Sequence, residues 1–431
     1  MTTFFHAEDC GISLVCRCAM KARDQENERL NAIRDSQTTL ARAPSPKAIA
    51  LAGLTAVAVA MGIGRFAFTP ILPMMLQDAG LSVADGGWLA SANYLGFLLG
   101  AMSAVGLRIR PTTAIRGGLL VAGLVTMGMG FTDQFATWII LRALAGIANA
   151  WVQIFAFAWC LEKLAALGRP LLNGAVFAGV GTGIAVAGGF CLVLTEINAG
   201  SAQAWVGLGM ISLIATAVIW RIFRPDDDAT KDGSERSTAR CWQWDADSLR
   251  LVLCFGASGF GYIIPATFLP VMARQLISDP LVFGWSWPVF GAAAAVAPLA
   301  TAGSAQVLGN RRLWILSHLV MALGVSLPVR WPSIGGIMIA ALLVGATFMI
   351  NAMTSMQEAR AVAGPHATSL MAAMIAAFGT GQIVGPILVS YVIGPDADFS
   401  KPLLIASVML ILSIWVLSRP AGSTNDLDRR F

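Results

Sequence analysis

Two arginines, Arg65 and Arg142, interrupt apolar runs that are too long for the core of a soluble protein. A guanidinium at membrane depth costs roughly 3 kcal/mol even on permissive insertion scales, so it must face water, a partner group or a substrate. Its planar fork grips a carboxylate or phosphate through two parallel hydrogen bonds. No carboxylate is placed to neutralise either arginine. Outside the tails and the central polar stretch the acidic residues are Asp78, Asp85, Asp133, Glu162, Glu196, Asp279, Glu358, Asp396 and Asp398, and each falls in a loop or at the end of an apolar run. A watery cavity with unbalanced positive charge draws anions, which points to a small organic anion as the cargo.

Arg65 lies in Gly62-Ile63-Gly64-Arg65-Phe66, followed by Pro70 and Pro73. Weakened helix geometry of this kind exposes backbone and lets a substrate approach. Two roles stay open for it: contact with substrate or a gate, and a tie from the first helix to carbonyls of a neighbour. On the fourth apolar run Arg142, Gly146, Asn149 and Gln153 fall at i, i+4, i+7 and i+11, one narrow stripe at 3.6 residues per turn. That stripe either lines the cavity, or Arg142 bonds inward to the first helix while Asn149 and Gln153 join helices. Asn93, Tyr94, Asn351 and Gln382 are further polar groups inside apolar runs. The expected site has Arg65 holding the anion, Tyr262 and Gln382 contributing from the second half, and Asn93, Tyr94, Arg142 and Gln153 shaping the cavity. His318 is a candidate proton relay, weighed against an ordinary interhelical hydrogen bond.

Other chemistries find no residues. The chain has no Gly-Lys pair, so the phosphate-cradling lysine of a P-loop has no candidate and ion gradients of H+ or Na+ are the expected energy source. Neither a His/Glu metal pair nor a Ser/His/Asp set lies at membrane depth, which argues against an enzyme. Seven cysteines show no paired framework, and Cys10, Cys16, Cys18 and His6 lack a regular four-ligand spacing, so neither cofactor nor metal is expected.

The elements that must position these groups follow from a duplication. Gly62, Gly64, Leu72, Pro73, Met75, Gly87 and Trp88 recur as Gly259, Gly261, Leu269, Pro270, Met272, Gly284 and Trp285, each shifted by 197 positions. Gly181-Thr182-Gly183 returns as Gly379-Thr380-Gly381, shifted by 198. The same register sets Tyr262 opposite Arg65. Trp88 and Trp285 then occupy equivalent outer helix ends and read as interfacial anchors.

A hydrocarbon core about 30 Å thick needs roughly 20 apolar residues per helix. Twelve segments qualify: 48–76, 86–107, 113–131, 136–161, 171–194 and 204–223, then 249–273, 281–308, 313–328, 333–356, 368–393 and 402–417. The fold expected is therefore all-α, two six-helix bundles over 48–223 and 249–418. A cytosolic tail (1–47), a polar linker (224–248) and a short C-terminal tail (419–431) complete the chain. The first 20 residues lack the pattern of a signal peptide, and a start at Met20 or later is an alternative.

A composition of 56% hydrophobic and 12% charged residues leaves too little polar surface for a soluble globule of 431 residues. The net charge of +5 does not imply nucleic acid, because Lys and Arg punctuate the apolar runs instead of forming a stripe. Placing both termini in the cytosol puts 24 of the 29 basic residues on that side; Arg274, Arg330 and Lys401 fall on the other. The expected partners are the lipid bilayer and a small solute, with the chain acting as a monomer.

Twelve helices in two parallel repeats resemble the major facilitator superfamily over about 48–418, and Arg142-Ala143-Leu144-Ala145-Gly146 is similar to its fourth-helix signature. Gly62 to Pro70 together with Leu89-Ala90-Ser91-Ala92-Asn93-Tyr94-Leu95-Gly96 resembles the bacterial YbfB/YjiJ-type branch, which implies transport across the inner membrane by alternating access between two rocking halves. Two departures stand out. Gly106-Leu107-Arg108-Ile109-Arg110-Pro111 lacks the superfamily's usual Asp in that loop, and Ile184-Ala185 replaces the Gly-Pro often found in the fifth helix of proton-driven exporters. The alternatives kept open are export of neutral or amphipathic compounds by proton antiport and, in a different class, a transporter-shaped sensor signalling through its tail.

Overall fold

The computed structural model describes residues 44–106, 109–169, 172–224, 244–277, 279, 282, 284–301, 307–364, 367–393 and 398–419. Most of the expected N-terminal tail and linker, and all but one residue of the C-terminal tail, lie outside the described residues. Those described form twelve helical rods and no strand. In chain order these are α1 (Pro46–Asp78), α2 (Val83–Gly106), α3 (Pro111–Gly128), α4 (Phe135–Ala166), α5 (Asn173–Glu196) and α6 (Ser201–Ile219). The second half supplies α7 (Ala246–Leu276), α8 (Ser286–Thr301), α9 (Asn310–Arg330), α10 (Ile334–Ala363), α11 (Ala367–Val392) and α12 (Ser400–Ser418). Ten segments are long and apolar enough to cross a membrane, and α8 is a shorter apolar helix.

Large apolar side chains such as Leu99, Val218, Leu253 and Leu412 are exposed, while Trp205, Trp287, Trp314 and Phe268 are fully buried. Apolar groups on both faces of a helix are what a lipid solvent permits and water does not. α4 and α10 run several residues past their expected ends. Their last turns, Leu161-Glu162-Lys163-Leu164 and Gln357-Glu358-Ala359-Arg360, are too polar for the hydropathy limit yet are good helix formers, so the helices continue beyond the apolar zone. α10 stops at Gly364, whose φ of 49° suits a residue without a Cβ.

The halves meet along α5 with α8, α2 with α11, and α1 with α7. The α5–α8 seam depends on missing side chains: a Cβ on Gly291 would stand 2.8 Å from the carbonyl oxygen of Gly181. Close backbone approach through small residues is how helices associate without a hydrophobic driving force.

α1 is the irregular rod. Ala58–Arg65 is π-helical, and Phe66 N–H reaches back five residues to the Met61 carbonyl (3.1 Å). Beyond it Thr69 N–H bonds the Phe66 carbonyl at three residues' spacing (3.2 Å), and Pro70 has no N–H to offer. Two glycines of weak helix propensity, then two prolines, permit this change of ladder. It is also what turns Arg65 inward.

At the expected cytosolic end of the second half, Arg311 of α9 gathers four elements. Its guanidinium bonds both carboxylate oxygens of Asp247 on α7 (2.5 and 3.2 Å) and the Leu417 carbonyl of α12 (3.1 Å), and lies 3.9 Å from Glu358 of α10.

Candidate functional site

The break in α1 delivers Arg65 to the interface between the halves, where it is 1% exposed. Its Nη2 donates to Gln382 Oε1 on α11, and Gln382 Nε2 donates to the hydroxyl of Tyr262 on α7. Ring faces close the remaining directions: Phe97, Tyr94 and Phe66 have centroids 4.2, 4.8 and 5.6 Å from the guanidinium carbon. Nε and Nη1 have no hydrogen-bond partner although both are buried. Among the described residues no carboxylate forms an ion pair with it; Asp247 and Glu358, which pair with Arg311, lie far along the chain at helix ends. An unpaired, desolvated cation is costly, so the site is primed for acceptors.

Tyr262 lies nearly parallel to Phe348 of α10 (5.1 Å, 15°) and Phe378 of α11 (5.6 Å, 14°). The aromatic wall continues through Phe290 and Trp287 of α8 back to Phe66, whose ring is 6.3 Å from Trp287. The Trp287 indole N–H is buried with no acceptor. Tyr94 closes the other flank, its hydroxyl 3.1 Å from Thr267 Oγ1.

Arg142 behaves differently. Its nitrogens point at the carbonyls of Gly64 (3.4 Å), Arg65 (3.3 Å) and Leu89 (3.4 Å), with the Phe68 ring 4.7 Å away. Of the two roles left open by the sequence, these contacts match the inward tie to the first helix. Arg142 therefore braces the irregular turn that carries Arg65. Asn93 supports the brace by donating to the Arg142 carbonyl (3.0 Å). Asn149 packs against Gly64, so closely that a Cβ there would lie 2.6 Å from its Oδ1, and neither of its amide atoms has a partner.

Of the residues expected at the site, the structure thus brings together Arg65, Tyr94, Tyr262 and Gln382. Asn93 and Arg142 stand immediately behind them. Gln153 is half-buried on α4, about 16 Å beyond Arg142 at 1.5 Å per residue. His318 is placed elsewhere, on the α9–α12 contact: Nε2 accepts from Trp314 Nε1 (2.9 Å) and Nδ1 faces Ser413 Oγ (2.6 Å). Phe97, Phe348, Phe378, Phe66 and Trp287 were not singled out from sequence. Nothing in a membrane-spanning run distinguishes a ring that faces a cavity from one that faces lipid. Trp88 and Trp285 are 40% and 56% exposed, with Trp88 resting edge-on against Tyr391.

A family model described as "Uncharacterised MFS-type transporter YbfB" matches residues 57–418. The chain belongs to this family. Membership makes it a multi-pass membrane transporter of the major facilitator type, as the repeat and the fourth-helix motif implied. A solved structure of a variant of the nucleoside transporter NupG is similar, with a TM-score of 0.68 over 86% of this chain and 98% of that one, at 10% identity. At that identity the likeness speaks for the fold alone. No curated protein matches the chain.

Proposed function

We propose that this transporter carries a small organic anion by alternating access, with Arg65 as the group that holds it. The observation that carries this reading is the buried Arg65 guanidinium with two unpartnered nitrogens and no paired carboxylate. Binding an anion there neutralises a charge that the empty site leaves uncompensated, so the bound state is favoured on entering a closed, water-poor interface. Gln382 and Tyr262 complete the grip from the second half, and Tyr94 from the first. The six-helix halves rock about this site, driven by an H+ or Na+ gradient, in a monomer held in the bacterial inner membrane with both ends in the cytosol. Glycine contacts between α5 and α8 serve as a smooth bearing.

The test is flux of a labelled acid panel into proteoliposomes with imposed pH and Na+ gradients, comparing the native chain with Arg65→Gln. Undiminished anion flux by a well-folded Arg65→Gln protein would remove the assigned role. A second reading is favoured by the parallel stack of Tyr262, Phe348 and Phe378. A neutral planar solute would also fit such rings, and the fold neighbour NupG is a nucleoside transporter. On that reading Arg65→Gln spares flux of the neutral solute.

A further inference from the structure

We infer that the cargo is an aromatic monocarboxylate, an inference that rests on the anion reading above. Three observations converge on that class. First, donors outnumber acceptors among the buried groups without partners around the α1 break: Arg65 Nε, Arg65 Nη1, Trp287 Nε1 and Asn149 Nδ2 stand beside the amide oxygens of Asn93 and Asn149. A ligand that satisfies the donors brings acceptors, and a carboxylate brings two oxygens to the guanidinium fork.

Second, the site offers one guanidinium with free donors. The nearby Arg142 guanidinium keeps its charge, but its nitrogens are directed at three backbone carbonyls. The second charge of a phosphate dianion or a dicarboxylate would enter the buried site with no free guanidinium donor to hydrogen-bond it, which is unfavourable. A single carboxylate matches the guanidinium donors present.

Third, the surroundings of the guanidinium are aromatic. Phe97, Tyr94 and Phe66 present rings to Arg65, and Phe66 touches the Trp287, Phe290 and Phe348 group. Tyr262 is hydrogen-bonded to Gln382, the same residue that holds Arg65, and stacks nearly parallel on Phe348 and Phe378. Rings at such spacing favour a flat aryl body over a puckered aliphatic one of equal size, because offset stacking and edge contacts add to simple burial. Thus the anion-holding atom and the aryl-holding wall share one cluster of side chains.

The experiment is ligand binding to the purified full-length chain in detergent, measured by competition against radiolabelled benzoate. The competitors are cyclohexanecarboxylate, benzamide, terephthalate and inorganic phosphate. Benzoate is expected to bind about tenfold more tightly than cyclohexanecarboxylate, and the other three to compete weakly. Phe348→Leu and, separately, Phe378→Leu should erase most of the difference between benzoate and cyclohexanecarboxylate while leaving a similar melting temperature. Two variants guard against one that fails to fold.

Equal binding of benzoate and cyclohexanecarboxylate overturns the aromatic inference and leaves the anion reading standing. If benzamide matches benzoate and Arg65→Gln changes neither, the anion reading itself falls. A folded, monodisperse protein that binds no benzoate at millimolar concentration also overturns the inference.

Discussion

Arg65 and Tyr262 stand 197 positions apart, at equivalent places in the two repeats, and one side chain, Gln382, is bonded to both. The duplicated position has therefore diverged into a cation on one side and a phenol on the other, facing each other across the seam. Only the Arg65 end of this bridge crosses between halves, since Gln382 and Tyr262 belong to the same bundle. On the proposed function, a ligand acceptor that competes with Gln382 for the guanidinium loosens one bond between the halves while making another, and so would couple cargo binding to rocking.

If the guanidinium fork matters as well as its charge, Arg65→Lys will not substitute for it. An ammonium is a point charge on a flexible stem and offers no paired donors in a plane. Loss of one charge-assisted hydrogen bond is worth about 2 kcal/mol, so the apparent affinity for the transported anion should fall at least tenfold, with a smaller change in maximal rate. Concentration-dependent uptake in proteoliposomes separates the two parameters. An unchanged affinity would mean that a generic positive charge is sufficient.

Two buried arginines in one bundle make opposite predictions for stability. Arg142 satisfies three carbonyls near the α1 break, so Arg142→Met strands them and should cost on the order of 3 kcal/mol, seen as a lowered midpoint of thermal unfolding in detergent. Arg65→Met removes a cation with two unpartnered nitrogens and should leave the midpoint unchanged or raise it. Should both substitutions destabilise alike, Arg65 is scaffold and the site assignment is misplaced.

The contrast between these arginines marks the limit of what was readable in advance. Hydropathy and length located the rods to within a few residues apart from the ends of α4, α8 and α10, because a bilayer demands them, and the 197-residue shift set Tyr262 opposite Arg65. The partition of roles did not show in the residue types. It depends on the π-helical turn before Phe66, which re-aims Arg65 toward α11 and leaves carbonyls for Arg142, and such a turn depends on packing as well as on its glycines and prolines. The aromatic wall was equally silent, since Phe348 and Phe378 read as ordinary apolar residues until the rods are assembled.

His318 supplies a direct test of proton coupling. Its ring accepts from Trp314 and pairs with Ser413, whose hydroxyl bonds the Leu410 carbonyl (2.6 Å), so the arrangement suits a neutral imidazole with both nitrogens occupied. His318→Gln should therefore preserve the dependence of flux on external pH, with only a modest drop in thermal stability. A flattened pH profile in the folded variant would make His318 a relay after all.

The halves are also joined at the end of α1 where the sequence places the outer surface. There Arg274 of α7 donates to the Pro73 carbonyl of α1 (2.7 Å), and one turn nearer the site Thr69 donates to the Ala266 carbonyl (2.7 Å). Pro73 is the first proline whose repeat partner, Pro270, lies on the same surface pocket, together with Gln77 and Cys191. The Arg274 contact with Pro73 ties α1 of one half to α7 of the other, and it is expected to act as a latch between them. Arg274 is half-buried, and solvent reduces its bond to about 1 kcal/mol, enough to shift an open–closed equilibrium about fivefold. Cys191, buried beside the latch, is a native reporter. Arg274→Ala should accelerate its alkylation by a water-soluble maleimide about fivefold in the purified protein, with Cys191→Ser identifying the signal. If the rate does not change, Arg274 ties helix ends together without controlling access, and opening at this end must be limited by other contacts.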